Sequence, residues 1–340
     1  MRPFQFSRAL DPDEAIIAHR AQSSTAEVGA INATSQYLAG GTTLLDLMKL
    51  DVMQPSRVID INGLGDLAMI DAGPEGLRLG ALARMADTAD DPDLREHFPM
   101  VAQALQLAAS AQIRNMATLG GNVLQRTRCS YFRDTSYGNC NKRVLGSGCA
   151  ALEGINRAHA VLGTSEQCIA SYPGDFAQAL IALDATIEVQ GPRARRELAF
   201  ETLHRKPGDT PHIETTLEPG ELITAFVVPA TPFARRSLFL KIRDRESYEF
   251  ALASAAVALD VEDGAVKDAR IALGGVATIP WRSREAEAHL RGQRFDPQLA
   301  ATAADLAFAT AVPRGHNAFK IELGKRTLVR ALRQAADMVI

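Results

Sequence analysis

Ser35-Gln-Tyr-Leu-Ala-Gly-Gly-Thr-Thr-Leu-Leu-Asp46 compresses a strand, a turn and a helix start into one short stretch. Ser35 to Ala39 reads as a strand that runs straight into Gly40-Gly41-Thr42-Thr43. Leu44 to Leu50 then carries apolar residues on one helical face. Strand, glycine turn and helix N-terminus in succession present backbone N–H groups to a phosphate.

A second glycine turn, Thr118-Leu-Gly-Gly-Asn122, offers a hydroxyl and an amide beside its glycines. A pyrophosphate has several acceptor oxygens and would be satisfied by donors converging from both loops. Neither stretch matches G-x-G-x-x-G or G-x-x-x-x-G-K-[ST], so neither a Rossmann nor a P-loop site is indicated. A tight turn needing only glycine's positive φ stays open beside dinucleotide binding.

Working outward, Asp11-Pro-Asp-Glu-Ala reads as a helix start with acidic residues in its first turn. Arg57 to Asn62 reads as a strand, followed by a short strand pair near Leu67 to Leu79. Pro99 to Ala111 is an amphipathic helix, Phe176 to Leu183 another, and Thr186 to Val189 is extended. Arg193 to Arg196 reads as a solvated basic loop, and His204 to Pro219 as a long polar surface loop. A domain boundary falls around Pro229 to Pro232. Beyond it, Ser237 to Ile242 is strand-like, and Ala253 to Val261 and Val266 to Gly274 flank Glu262-Asp263-Gly264, a hairpin signal. Helices follow over Ser283 to Leu290, Pro297 to Ala311 and Gly324 to Met338, giving a small α+β domain.

All four cysteines of the chain lie between Cys129 and Cys168, with Cys140 and Cys149 between them. Crowding of this kind in a segment rich in Gly, Asn, Arg and Ser predicts that the thiols meet around something. Disulfides need an oxidising compartment. Zinc usually takes close pairs such as C-x2-C, which are absent. A [4Fe–4S] cluster accommodates wide, irregular spacing. Spacing alone leaves these and unliganded thiols open. Arg126, Arg128, Arg133, Lys142 and Arg143 crowd the same segment, either to offset a cluster's negative charge or to meet a partner.

The chain has 340 residues, 46% of them hydrophobic and 23% charged, the profile of an ordinary globular protein of two or three domains. A net charge of −3 argues against nucleic acid as the main partner. No run approaches the apolar length of a membrane span. The N-terminus has no hydrophobic signal-peptide region, so the expected compartment is the cytoplasm, or the periplasm if a signal-bearing partner exports the complex. No His/Asp/Ser constellation suggests independent catalysis; His159 and His289 read as packed or solvated.

Leu38-Ala-Gly-Gly-Thr-Thr-Leu-Leu-Asp46, Gln112 to Asn122 and Ile271-Ala-Leu-Gly-Gly-Val276 together resemble the FAD-binding medium subunit of the molybdenum hydroxylases, the xanthine dehydrogenase family. The resemblance runs in order along essentially the whole chain. It implies an α+β fold: a two-part vanillyl-alcohol-oxidase-type (PCMH-type) FAD-binding domain over 1–55 and 56–229, then a CO-dehydrogenase-flavoprotein-like domain over 230–340. Most such subunits lack the cysteine segment, here 124–170. Cys129-Ser-Tyr-Phe-Arg-Asp, Cys140-Asn-Lys-Arg, Gly146 to Gly154 and Cys168-Ile-Ala resemble the FAD subunit of periplasmic aldehyde oxidoreductases. That resemblance implies a [4Fe–4S] cluster on Cys129, Cys140, Cys149 and Cys168.

The same resemblance implies FAD contacts at Leu38, Ala39, Gly40, Gly41, Thr42, Thr43, Leu44 and Leu45, and at Ala108, Thr118, Gly121 and Asn122. It further implies Asp175 on the ribose side, Ile223 at the adenine end, Lys241 near the flavin or its phosphates, and Phe250 against the isoalloxazine. Lys241 as a solvated strand lysine and Phe250 as ordinary core are the alternatives. The implied role is electron transfer in a heterotrimer with a molybdenum-cofactor subunit and a [2Fe–2S] subunit, ending at an external acceptor. A 4-hydroxybenzoyl-CoA reductase-like subunit and a scaffold with vestigial FAD are the competing readings.

Overall fold

The computed structural model describes residues 1–20 and 29–340. Twelve strands among them form three separate sheets. β1 (Gln5–Arg8), β2 (Ser35–Leu38) and β3 (Arg57–Asp60) make a parallel sheet in the order β1-β3-β2. β3 bonds to both neighbours, pairing Val58 with Phe6 and with Gln36, so the first sheet runs past position 55. The crossover from β1 to β2 includes the helix Pro12–Arg20. Its start is capped: Asp11 accepts from the Glu14 N–H, and Glu14 reaches back to the Leu10 N–H, one residue before the cap.

The second sheet is antiparallel and joins β4 (Ile70–Gly73), β5 (Gly76–Gly80), β6 (Thr186–Gln190), β7 (Arg195–Ala199) and β8 (Leu222–Pro229), in the order β4-β5-β8-β6-β7. β8 lies at its centre and is buried at most positions. β7 is an edge strand where a basic loop was expected from the sequence. Its alternating exposure fits one solvated face, and Arg196 is anchored to Glu221 across 2.6 Å. Helices Pro99–Gln106 and Phe176–Ala182 bury apolar side chains against this sheet, in a core that includes Leu79, Leu105, Phe176, Ile187 and Phe226.

The helix expected over Pro99 to Ala111 stops at Gln106. Ala109 adopts φ +50°, which ends helical bonding, and Ser110 then caps a new helix, Ala111–Met116, by accepting from the Ile113 N–H. The second glycine stretch is likewise a helical turn, Leu119–Val123, rather than an open loop. Thr118 caps it by accepting from the Gly121 N–H, and Gly120 packs against Ala81, where a side chain would meet the Ala81 backbone and methyl at 3.1 Å.

The third sheet holds β9 (Ser237–Ile242), β10 (Ala253–Glu262), β11 (Ala265–Gly274) and β12 (Trp281–Arg282), in the order β12-β11-β10-β9. Helices Arg284–Leu290, Pro297–Ala307 and Phe319–Ala336 share a core with it, built on Val257, Ile271, Leu290, Ala304 and Leu328. Small alanines dominate that core and let the elements approach closely. No helix among the described residues is long and apolar enough to cross a membrane.

The cysteine segment has little regular structure and borrows its packing. Phe132 and Cys140 enter the core of the first sheet with Leu47, Met48 and Val58. Buried Asn141 organises the loop, since its Oδ1 accepts from the N–H groups of Gly146 and Gly148 and its Nδ2 donates to the Gln167 carbonyl. On the far side, buried Lys320 donates to the carbonyls of Ala158 and His159, each at 3.1 Å, and of Gly275.

Asp263 (φ +52°) and Gly264 (φ +78°) both take left-handed backbone in the β10–β11 turn. A side chain at Gly264 would find room but not a comfortable φ. Gly264→Val is expected to destabilise the protein by roughly 1–2 kcal/mol, read as a lowered urea midpoint, with the folded spectrum unchanged.

Candidate functional site

A cavity of about 340 Å3 opens between the first two sheets and the segment from His204 to Leu222. Ala39, Gly40, Gly41, Thr42, Thr43 and Leu44 form one wall; Thr118 and Gly121 face them, and Ile223 lies at the β8 end. Gly40 is required sterically, because a Cβ there would stand 2.0 Å from the Met116 carbonyl oxygen. Gly41 has φ +75°, and Leu45 packs beneath it. The two glycine stretches therefore converge on one hollow with backbone N–H groups and hydroxyls on its walls. Asn122 donates to the Met85 sulfur, while its buried Oδ1 has no partner.

Other sequence-selected residues lie outside this cavity's lining. Leu38 ends β2, where its carbonyl accepts from Ile61 N–H. Ala108 is buried, and its carbonyl accepts from Arg114. Asp175 and Lys241 are buried against each other at 2.6 Å, and Lys241 also donates to the Leu107 carbonyl. Lys241 is thus not a solvated strand lysine. Burial pushes the Asp175 carboxyl up from its ordinary value, and the Lys241 ammonium opposes that shift. Phe250 is 41% exposed, not core, and the Arg128 guanidinium stacks over its ring at 5.0 Å.

The four cysteines are free thiols, and no disulfide joins any two of them. All four line one small cavity, with Phe132, Asn139, Gln167 and Ala170 among its other walls. Cys140 and Cys149 face each other across a short antiparallel bridge, and Cys168 pairs with Ser165 in a second. Burial pushes the Cys129 thiol up to about 12 and the Cys168 thiol up to about 11, and raises Cys149 as well. Among the described residues, no set of three or more His, Cys, Asp or Glu side chains closes on a single metal ion.

The arginines and lysine that crowd the cysteines have internal partners. Arg126 and Lys142 each reach Glu214 at 2.6 Å. Burial alone would raise the Glu214 carboxyl; the two cations hold it below its ordinary value. Arg133 and Arg128 reach Asp46 at 2.7 and 3.4 Å, and Arg143 donates to the Phe132 and Asp134 carbonyls. These cations lock the segment to its surroundings instead of presenting a free basic surface. Lys142 and Ala170 line both cavities and form the wall between them. Sequence reasoning overlooked Glu214 because its partners stand far away in the chain.

Residues 4–231 match the family described as FAD binding domain in molybdopterin dehydrogenase, and residues 239–335 match the CO dehydrogenase flavoprotein C-terminal domain. The chain belongs to the FAD-binding subunits of the molybdenum hydroxylase family. It is 46% identical over 338 residues to the aldehyde oxidoreductase FAD-binding subunit PaoB of Escherichia coli K12, covering 98% of this chain and 99% of that protein. Identity to the nicotine 6-hydroxylase medium subunit of Paenarthrobacter nicotinovorans is 29%, over 80% of this chain and 77% of the relative. Among solved structures, carbon monoxide dehydrogenase of Hydrogenophaga pseudoflava superposes with a TM-score of 0.74 at 25% identity, covering 98% of this chain and 97% of that one. The α+β architecture of this family is the one described above.

FAD suits the cavity on local grounds. Gly40 lets the first glycine stretch pack against the Met116 backbone, which brings the two stretches together, and the adjoining donors suit a pyrophosphate.

Two measurements test the site's electrostatics. Lys241→Met leaves the Asp175 carboxyl buried without its cation and is expected to cost about 3–5 kcal/mol. Adding Asp175→Leu should recover much of that loss in urea unfolding. The part-buried His204, whose Nε2 lies 3.1 Å from the Val123 carbonyl, is pushed down to about 4, chiefly by burial. Its folded form therefore resists a proton that the unfolded chain accepts near 6.5. The stability it contributes is present above pH 6.5 and lost as the pH falls through 4, by up to about 2 kcal/mol after screening through its exposed edge. Unfolding midpoints of wild type should fall over that window, and His204→Gln should flatten the decline.

Proposed function

We propose that this chain is the FAD- and [4Fe–4S]-binding electron-transfer subunit of a heteromeric molybdenum-dependent aldehyde oxidoreductase. The observation that carries the aldehyde assignment is the 46% identity, along nearly its full length, to an aldehyde oxidoreductase FAD-binding subunit. The substrate would be oxidised on a molybdenum-cofactor partner, with water supplying the oxygen of the acid. A second partner with [2Fe–2S] clusters would deliver the electrons to this chain, and the complex would work wherever its partners carry it.

FAD, when bound, accepts electrons singly and releases two to an external acceptor. The residues of this chain bind and enclose it. Gly40, Gly41 and Gly121 shape the two stretches that would face the pyrophosphate, and Thr42, Thr43 and Thr118 add hydroxyls. Arg126 and Lys142 outnumber Glu214, so this pole keeps one net positive charge at the wall beside the phosphates.

The cluster reading rests on four free thiols around one cavity. A cluster distributes its ligands over four iron corners, so its thiols surround a volume and need not meet at one point. Thiolates are the soft donors it needs, and protons held by the buried thiols would leave as it binds.

The test is anaerobic purification with co-expressed partners, followed by iron, sulfide and FAD per chain and EPR after dithionite reduction. The expected result is about four irons and one FAD attributable to this chain. Cys140→Ser should lose cluster and assembly together, and Gly40→Ala should lose FAD. FAD without the extra iron, or zinc in its place, would reduce the cysteines to a structural clip. A stable, fully active complex without the cluster would remove any required role for it.

A further inference from the structure

Among the described residues, the His159 ring has one polar partner, a cysteine sulfur. Its Nε2 lies 3.1 Å from Cys129 Sγ, the residue is 6% exposed, and its Nδ1 is buried with no partner. The backbone around it is fixed from both sides. Its N–H donates to the Asn156 carbonyl at 2.9 Å, and its carbonyl accepts from Lys320 at 3.1 Å. Buried Asn156 is held in turn, since its Oδ1 accepts from the His316 N–H at 2.8 Å and its Nδ2 donates to the Ala151 carbonyl. Tyr131 packs beside the imidazole with ring centroids 6.3 Å apart. The C-terminal domain therefore aims this ring at one wall of the cysteine cavity.

We infer that His159 is a positioning residue for the iron–sulfur site: its Nε2–H is donated to the Cys129 sulfur and raises the cluster's reduction potential. The inference rests on reading the cysteines as cluster ligands. Of the two ring nitrogens, Nε2 is the one that reaches a polar partner, so the N–H that matters is the one Nε2 carries. Toward a thiolate that N–H must sit on Nε2, because a nitrogen lone pair aimed at an anionic sulfur would be repelled. A hydrogen bond to a ligand sulfur withdraws electron density and stabilises the more negative, reduced state, which raises the potential.

The experiment compares the anaerobically purified full-length chain, co-expressed with its partners, as wild type, His159→Leu and His159→Gln. Iron per chain is measured first, then the cluster midpoint by EPR-monitored redox titration. His159→Leu is expected to keep its iron and to titrate at a more negative potential, by about a tenfold change in the reduction equilibrium, or about 59 mV for one electron. His159→Gln, which retains an N–H donor, should return most of that shift. An unchanged midpoint in an iron-replete His159→Leu protein overturns the inference, and so do equal shifts in both variants. If His159→Leu loses iron, recovery of iron and midpoint by His159→Gln supports the donor role, and loss in both overturns it. Wild type without iron overturns the cluster reading itself, a result separable from all the others.

Discussion

Glu214 is ion-paired with Arg126 and accepts from Lys142 in a part-buried place, and much of the site's shape depends on that balance. Two cations without a carboxylate there would repel each other in a medium that screens them poorly, and a lone carboxylate would be costly to bury. Because Arg126 and Lys142 both belong to the cysteine segment while Glu214 belongs to a distant loop, the pairing ties that loop to the segment beside the larger cavity. A second clamp of the same kind, Asp46 with Arg128 and Arg133, ties the helix after the first glycine stretch to the same segment. The cysteine region, poor in strands of its own, is thus held by charge pairs on one flank and by Lys320 on the other.

How much of this could be read in advance follows from how local each signal is. The Ser35-to-Asp46 stretch, the Asp263-Gly264 hairpin and the helix start at Asp11 are each determined within a few residues, and the structure contains all three. β8 is different. It is the central strand of its sheet, yet its partners are Gly76–Gly80 and Thr186–Gln190, and nothing within Leu222–Pro229 names them. The premature end of the helix at Gln106 depends on one alanine in left-handed backbone, which no propensity would suggest.

The candidate site divides in the same way. Both glycine stretches and the cysteine cluster stand out by composition, and their convergence could be anticipated through resemblance to a family. The charged clamps could not. Arg126 and Glu214, or Lys241 and Asp175, are ordinary residues in sequence and become informative only as buried neighbours. His159 was unremarkable for the same reason, since only the fold sets its ring against Cys129.

The segment from His204 to Pro219 supplies Ile213, Glu214, Thr215 and Leu217 to the roof of the larger cavity. It also fastens that roof from below, with Lys142 donating to the Pro211 carbonyl. Moving this segment away from the cavity would break the Glu214 pairs, so the shape of that wall and the placement of the cysteine segment are set together.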